Sequence, residues 1–135
     1  MKKNIVIILA AVLLCLACLS GCRGYVSHYN AFGLVTNNTS RSAYVKFGSL
    51  SGTLTFQLKA EEGDGTIVYS GSLGSGSISV YYDCGGVKEL LFKANAGETV
   101  DSEGGRIVPG TVCLVVETEG TCRNGEFRFG FGEGK

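Results

Sequence analysis

The chain has 135 residues and carries twelve Lys and Arg against twelve Asp and Glu, a formal net charge of zero. That balance provides no cationic cluster for a phosphate backbone, so nucleic acid is excluded as an expected partner. One histidine and no tryptophan leave little for imidazole acid–base catalysis, for histidine-rich metal sites or for indole stacking on a ligand.

Lys2 and Lys3 precede an apolar run, Ile5 to Leu19, which ends in Leu19-Ser20-Gly21-Cys22. A positive start, an apolar middle and small residues before a cleavage point are the parts of an export signal. At about 1.5 Å per residue the run spans roughly 22 Å, short of the ~30 Å hydrocarbon core, which argues against an uncleaved membrane helix. An ordinary secretory peptide places small residues at both positions -3 and -1, whereas Leu19 stands at -3 here. The tetrapeptide resembles the lipobox of bacterial lipoproteins: Leu, a small residue, Gly or Ala, then Cys. The resemblance covers residues 1 to 22 only. It implies a signal peptide over 1–21, cleavage between Gly21 and Cys22, and a diacylglyceryl thioether on Cys22 with fatty acyl chains such as palmitate. Cys15 and Cys18 lack the full pattern and read as apolar members of the run. Two acyl chains, at ~0.8 kcal/mol per buried CH2, suffice for stable anchoring. The expected location is extracytoplasmic and lipid-anchored, on the cell membrane or the outer membrane. Arg23 and Gly24 lack the aspartate that, by the same resemblance, retains a lipoprotein at an inner membrane.

Cleavage would leave 114 residues, with ten Lys and Arg once Lys2 and Lys3 are lost. That length suits one domain with a self-sufficient core. Residues 22–31 read as a lipidated N-terminus and short tether, and 32–135 as a single all-β domain. Ala43, Val45 and Phe47 alternate with polar neighbours, as do Leu54, Phe56 and Leu58 within Gly52 to Lys59. Period two places one row in a core and the other in water. Glu61 to Gly65 reads as a turn, Thr66 to Ser70 as a strand and Gly71 to Gly76 as another turn. Ser77 to Tyr82 and Lys88 to Ala94 form a hairpin around Asp83-Cys84-Gly85-Gly86-Val87, with Val80 opposite Leu90 and Ile78 opposite Phe92. Pro109-Gly110 reads as a type II turn. It leads into a second hairpin pairing Val116 with Phe127, Leu114 with Phe129 and Val112 with Phe131 around a loop from Glu119 to Gly125. The expected fold is an antiparallel β-sandwich of roughly eight strands, jelly-roll or immunoglobulin-like.

With Cys22 used for lipid, Cys84, Cys113 and Cys122 form an odd set, and at most one pair forms. Cys84 and Cys122 both fall in expected hairpin tips, so a Cys84–Cys122 disulfide is the favoured pairing and Cys113–Cys122 the second.

No catalytic constellation emerges. His28 lies in the tether, no Gly-x-Ser-x-Gly elbow surrounds a serine, and Cys84, Cys113 and Cys122 show no Cys-x-x-Cys spacing that would suggest zinc. Glu61-Glu62-Gly63-Asp64-Gly65 reads as a solvated acidic turn, since its spacing departs from known calcium loops. No enzyme, cofactor or metal site is expected. The expected role is a non-catalytic binding or structural module held on a membrane by its lipid, with an envelope protein or a glycan as partner. The alternative is a dedicated ligand-binding module for a glycan or a metal ion. For a glycan, Tyr44, Tyr69 and Tyr81 would face outward if Val45, Val68 and Val80 face in, while Tyr25 and Tyr29 suit a headgroup region.

Overall fold

Three strands of unusual length organise the chain: Ala43–Ala60, Asp64–Asp83 and Gly110–Glu133. The computed structural model describes Cys22 and residues 25–133, so the signal-peptide and cleavage assignments, including Gly21, lie outside the described residues. In chain order the strands are β1 (His28–Phe32), β2 (Val35–Asn38), β3 (Ala43–Ala60), β4 (Asp64–Asp83), β5 (Lys88–Asn95), β6 (Thr99–Gly104) and β7 (Gly110–Glu133). All pairings are antiparallel, in the order β1-β3-β7-β4-β5, with β2 added to β3 and β6 to β4. The all-β antiparallel sandwich expected from the sequence is what forms, with seven strands among the described residues.

The three long strands each serve both layers. The first layer combines β2, the early part of β3, the late part of β7, the early part of β4 and β6. The second combines β1, late β3, early β7, late β4 and β5. Side chains show that the two halves face one another. Phe92 of β5 stacks on Tyr69 of early β4 at 4.3 Å between ring centroids, and lies 6.0 Å from Phe127 and 6.1 Å from Phe129 of late β7.

Each long strand changes the parity of its buried row as it passes between layers. In β3 the row runs Ala43, Val45, Phe47 and then Leu50, Leu54, Phe56, Leu58. In β4 it runs Ile67, Leu73 and then Ile78, Val80, Tyr82; in β7, Val112, Leu114, Val116, Cys122 and then Phe127, Phe129. The change falls between Phe47 and Leu50, between Leu73 and Ile78, and between Cys122 and Phe127, where β7 has a positive φ of 53° at Asn124. Phe47 opposite Gly125 and Leu50 opposite Cys122 keep one register through this point, so the paired strands turn over together and each keeps its apolar face inward in both layers.

Two expectations are corrected by this arrangement. Residues 110–133 form no hairpin: Val116 pairs with Leu54 on one side and Val80 on the other, and Phe127 with Val45 and Gly71. With a partner strand on each side along most of its length, β7 satisfies its backbone without reversing. Gly71 to Gly76 is likewise strand instead of turn. A Cβ at Gly71 would strike the Glu126 carbonyl oxygen and the Phe127 ring, and one at Gly125 would strike the Phe47 ring. These glycines give the rings of the adjacent strand their room.

The β4–β5 hairpin has its expected tip, but its register differs. Val80 pairs with Phe92 and Tyr81 with Leu90, because a bulge falls between Val80 and Tyr81. Leu90 is consequently exposed. The domain begins with β1 at His28, inside the stretch expected as tether. Gly110 has φ 127°, the left-handed side that its position after Pro109 demands.

Candidate functional site

The N-terminal residues form a strap over the outer side of the second layer. Thr55, on β3, donates its backbone N–H to Ser27 Oγ at 2.9 Å. Further along, Tyr25 Oη donates to Asp83 Oδ2 at 2.5 Å, at the end of β4. That hydrogen bond, followed by burial and by the Asp83 charge, pushes the Tyr25 phenol up to about 12. Between these points Cys22 is joined to Cys113 of β7, with 5.5 Å between Cα atoms. Register makes this crossing possible, since Asp83 pairs directly with Cys113. Cys113 and Val115 point away from the main core cluster, yet both are buried.

The expected Cys84–Cys122 disulfide does not form, and neither does Cys113–Cys122; Cys84 and Cys122 are free thiols. The physical reason is the missing hairpin. Cys122 lies mid-strand, fully buried, with its sulfur donating to the Ser77 carbonyl oxygen at 3.1 Å. Burial raises its thiol pKa. Cys84 lies seven residues beyond Ser77 along β4, roughly 23 Å at ~3.3 Å per residue, far outside the ~7 Å that a disulfide tolerates. The partner that Cys113 does find, Cys22, had been assigned to lipid. A thioether and this disulfide exclude each other, because each uses the single Cys22 sulfur.

The outer face of the first layer carries an open groove. Asn37 pairs with Tyr44, Tyr44 with Arg128, Arg128 with Ser70 and Ser70 with Asp101, so one row of polar side chains runs across five strands. Lys46, Glu126, Ser72 and Thr99 form the adjacent row. Both rows face outward because Val45, Phe127 and Phe129 take the inward positions of the same strands. A groove of about 390 Å³ lies among Ser70, Ser72, Thr99, Asp101, Glu126 and Arg128. A second depression, bounded by Asn37, Ser42, Tyr44 and Arg128, adjoins it through the Arg128 side chain. The guanidinium sits 4.4 Å over the Tyr44 ring and 3.6 Å from Glu126. Hydroxyls, two carboxylates and a planar cation thus converge on one surface.

Of the three tyrosines expected to face outward, Tyr69 faces in, stacked on Phe92, and Val68 is exposed in its place. Tyr81, like Tyr44, lies under a cation: Lys88 Nζ is 4.4 Å from its ring centroid. An uncovered aromatic platform is therefore not what this surface presents. Period two located the inward and outward rows; Arg128 was missed because Phe127 and Phe129, not the residue between them, carried the sequence signal.

At the acidic turn, Asp64 is engaged by Arg41 through both guanidinium nitrogens, and its Oδ2 also accepts the Glu61 N–H. Those contacts lower the Asp64 carboxyl pKa. The guanidinium occupies the place a cation would take. Among the described residues there is no group of three or more His, Cys, Asp or Glu that could hold a metal ion.

No protein-family model and no curated protein matches the chain. Among solved structures, a family 61 carbohydrate-binding module in complex with β-1,4-galactotriose is 14% identical, with 84% of this chain and 94% of that one covered at a TM-score of 0.46. A family 6 module from Clostridium stercorarium, in complex with cellobiose, is 14% identical over 84% and 91% of the two chains at a TM-score of 0.43. The C-terminal family 6 module of a marine laminarinase from Zobellia galactanivorans is 13% identical, over 82% and 95%, at 0.41. At these values the likeness carries no statement about this chain's ligand.

Proposed function

We propose that the chain is a non-catalytic binding module, lipid-anchored through Cys22 in a bacterial envelope, whose outer groove takes a glycan. The observation that carries the ligand is the five-strand row Asn37, Tyr44, Arg128, Ser70 and Asp101 with the groove beside it. A sugar offers hydroxyls that both donate and accept, and this surface supplies carboxylate acceptors, hydroxyls and a guanidinium donor at neighbouring register positions. The carboxylates of Asp101 and Glu126 offset the charges of Arg128 and Lys46, which suits a neutral ligand better than a polyanion.

Arg128→Ala tests this reading. A hydrogen bond from a charged donor is worth about 1.5–3 kcal/mol, so glycan affinity is expected to fall roughly 10- to 100-fold. The side chain is two-thirds exposed, so thermal stability should barely move. Calorimetric titration of a glycan selected on an array measures both. A protein that retains no glycan, or a variant that binds as the parent does, defeats the groove.

The anchor is supported by the Lys2 to Cys22 pattern and tested by mass. In the lipidated chain Cys113 is a thiol beneath a strap still held through Tyr25 and Ser27. The intact protein is expected to begin at Cys22 with acyl mass added, and to alkylate at Cys84, Cys113 and Cys122 after denaturation. A chain without acyl mass that alkylates at Cys84 and Cys122 but at neither Cys22 nor Cys113 would show that Cys22 is spent on the disulfide instead.

A further inference from the structure

The strap delivers the N-terminus to one corner of the sandwich, and that corner is unusual in composition. Tyr25 binds one oxygen of Asp83, and the other oxygen accepts the Gly86 N–H at 2.8 Å. The adjacent Cys84 sulfur accepts the Val108 N–H at 3.2 Å. The β4–β5 tip and the segment before β7 are thereby joined beside the strap. Tyr82 fastens the same segment from below: its hydroxyl donates to Glu89 and accepts the Arg106 N–H. Ile107 is buried under it, while Val87 is 65% and Val108 59% exposed. Cys84 to Val87 and Ile107 to Gly110 carry no charge, and Lys88 and Arg106 flank them.

We infer that this corner, with Val87 and Val108 at its tips, is the face that rests on the lipid bilayer. The inference rests on the proposed anchoring at Cys22. Only two residues separate Cys22 from Tyr25, so the three steps span about 10 Å even fully extended. The acyl chains must therefore leave the protein within that distance of Asp83, and the surface they pull toward the membrane is the one carrying the two exposed valines. Small apolar tips with Lys88 and Arg106 beside them, and with the neighbouring Asp83 already bonded to Tyr25 and Gly86, suit the boundary between headgroups and acyl chains, where an apolar surface is buried by ~5–10 Å. Val26, 76% exposed, belongs to the strap itself, whereas Phe32 on β1 and Val68 on β4 are exposed without being joined to Asp83.

The absence of tryptophan makes a single introduced indole a clean reporter. Val87→Trp, Val108→Trp and Ala96→Trp are made separately in the full chain, purified with its lipid and reconstituted into brominated phosphatidylcholine vesicles. Ala96 follows β5 at its other end, nine residues from Val87 and roughly 30 Å away at ~3.3 Å per residue. Indoles at 87 and 108 should lose about half of their emission at the ~5–10 Å depth expected, with no loss at 96. A chain that floats with the vesicles while 87 and 108 stay unquenched overturns the docking corner and leaves the anchor standing. A chain that does not float with them overturns the anchor, and the corner with it.

Discussion

Phe127→Ala is expected to destabilise the domain by about 3–5 kcal/mol, the range for removing a buried aromatic side chain. Phe127 is 1% exposed, pairs with Val45 and Gly71 within its own layer, and lies 6.0 Å from the Phe92 ring across the interface. Truncation removes contacts in both layers at once. The surrounding strands cannot collapse into the space, because β7 is fixed by backbone pairing on each side. Against a typical total of about 5–15 kcal/mol, such a loss takes a large share. Urea unfolding should show a lower midpoint with an unchanged slope. Phe32→Ala is the matched control: at 79% exposure it should shift stability by no more than ~0.5 kcal/mol. Equal effects from the two substitutions would overturn the placement of the core.

Gly71→Ala should cost about 2–3 kcal/mol, the upper part of the range for overpacking. The added methyl would meet the Glu126 carbonyl oxygen and the Phe127 ring, with Phe127 Cα at 2.9 Å. A side-chain tip can swing aside; a backbone carbonyl on a strand paired on both sides cannot. The same substitution at Gly85, where a new Cβ would meet nothing within 4 Å but φ is 105°, meets only the conformational penalty of ~1–3 kcal/mol. Hydrogen exchange separates the mechanisms. Gly71→Ala should lower protection along β4 and β7, whereas Gly85→Ala should act locally at the β4–β5 tip. If Gly71→Ala is neutral, residues 71–76 are the exposed turn that their composition suggests, and β4 is two strands.

Both substitutions bear on how the groove is held. Gly71 lies between Ser70 and Ser72, and Phe127 between Glu126 and Arg128. Each inward residue sets the direction of its outward neighbours, so a shift in the β4–β7 pairing displaces the rows that line the surface. Arg128 over Tyr44 depends on the same register. Loss of packing is thus expected to weaken ligand binding even where no groove residue is altered.

Local alternation made the apolar rows legible from sequence: Leu54, Phe56, Leu58; Ile78, Val80, Tyr82; Val112, Leu114, Val116. Composition placed turns at Glu61 to Gly65 and Asp83 to Val87, and the structure narrows them to Glu61 to Gly63 and Cys84 to Val87 because β4 takes in Asp64, Gly65 and Asp83. These readings succeed because the period of a strand is a property of its own backbone. The resemblance of Leu19 to Cys22 to a lipobox, on which the proposed anchor rests, is also read from a contiguous run. The tertiary structure decided what locality does not contain. Gly71 to Gly76 and Glu119 to Gly125 look like turns by composition, yet they are strand because neighbours on both sides satisfy their backbone and adjacent rings need the missing Cβ atoms. Tyr69 turned inward because Phe92 arrives from the other layer to stack on it. Cys22 met Cys113, 91 residues away, because the strap is held at Thr55 and Asp83, two strands that only the folded sheet brings to either side of β7.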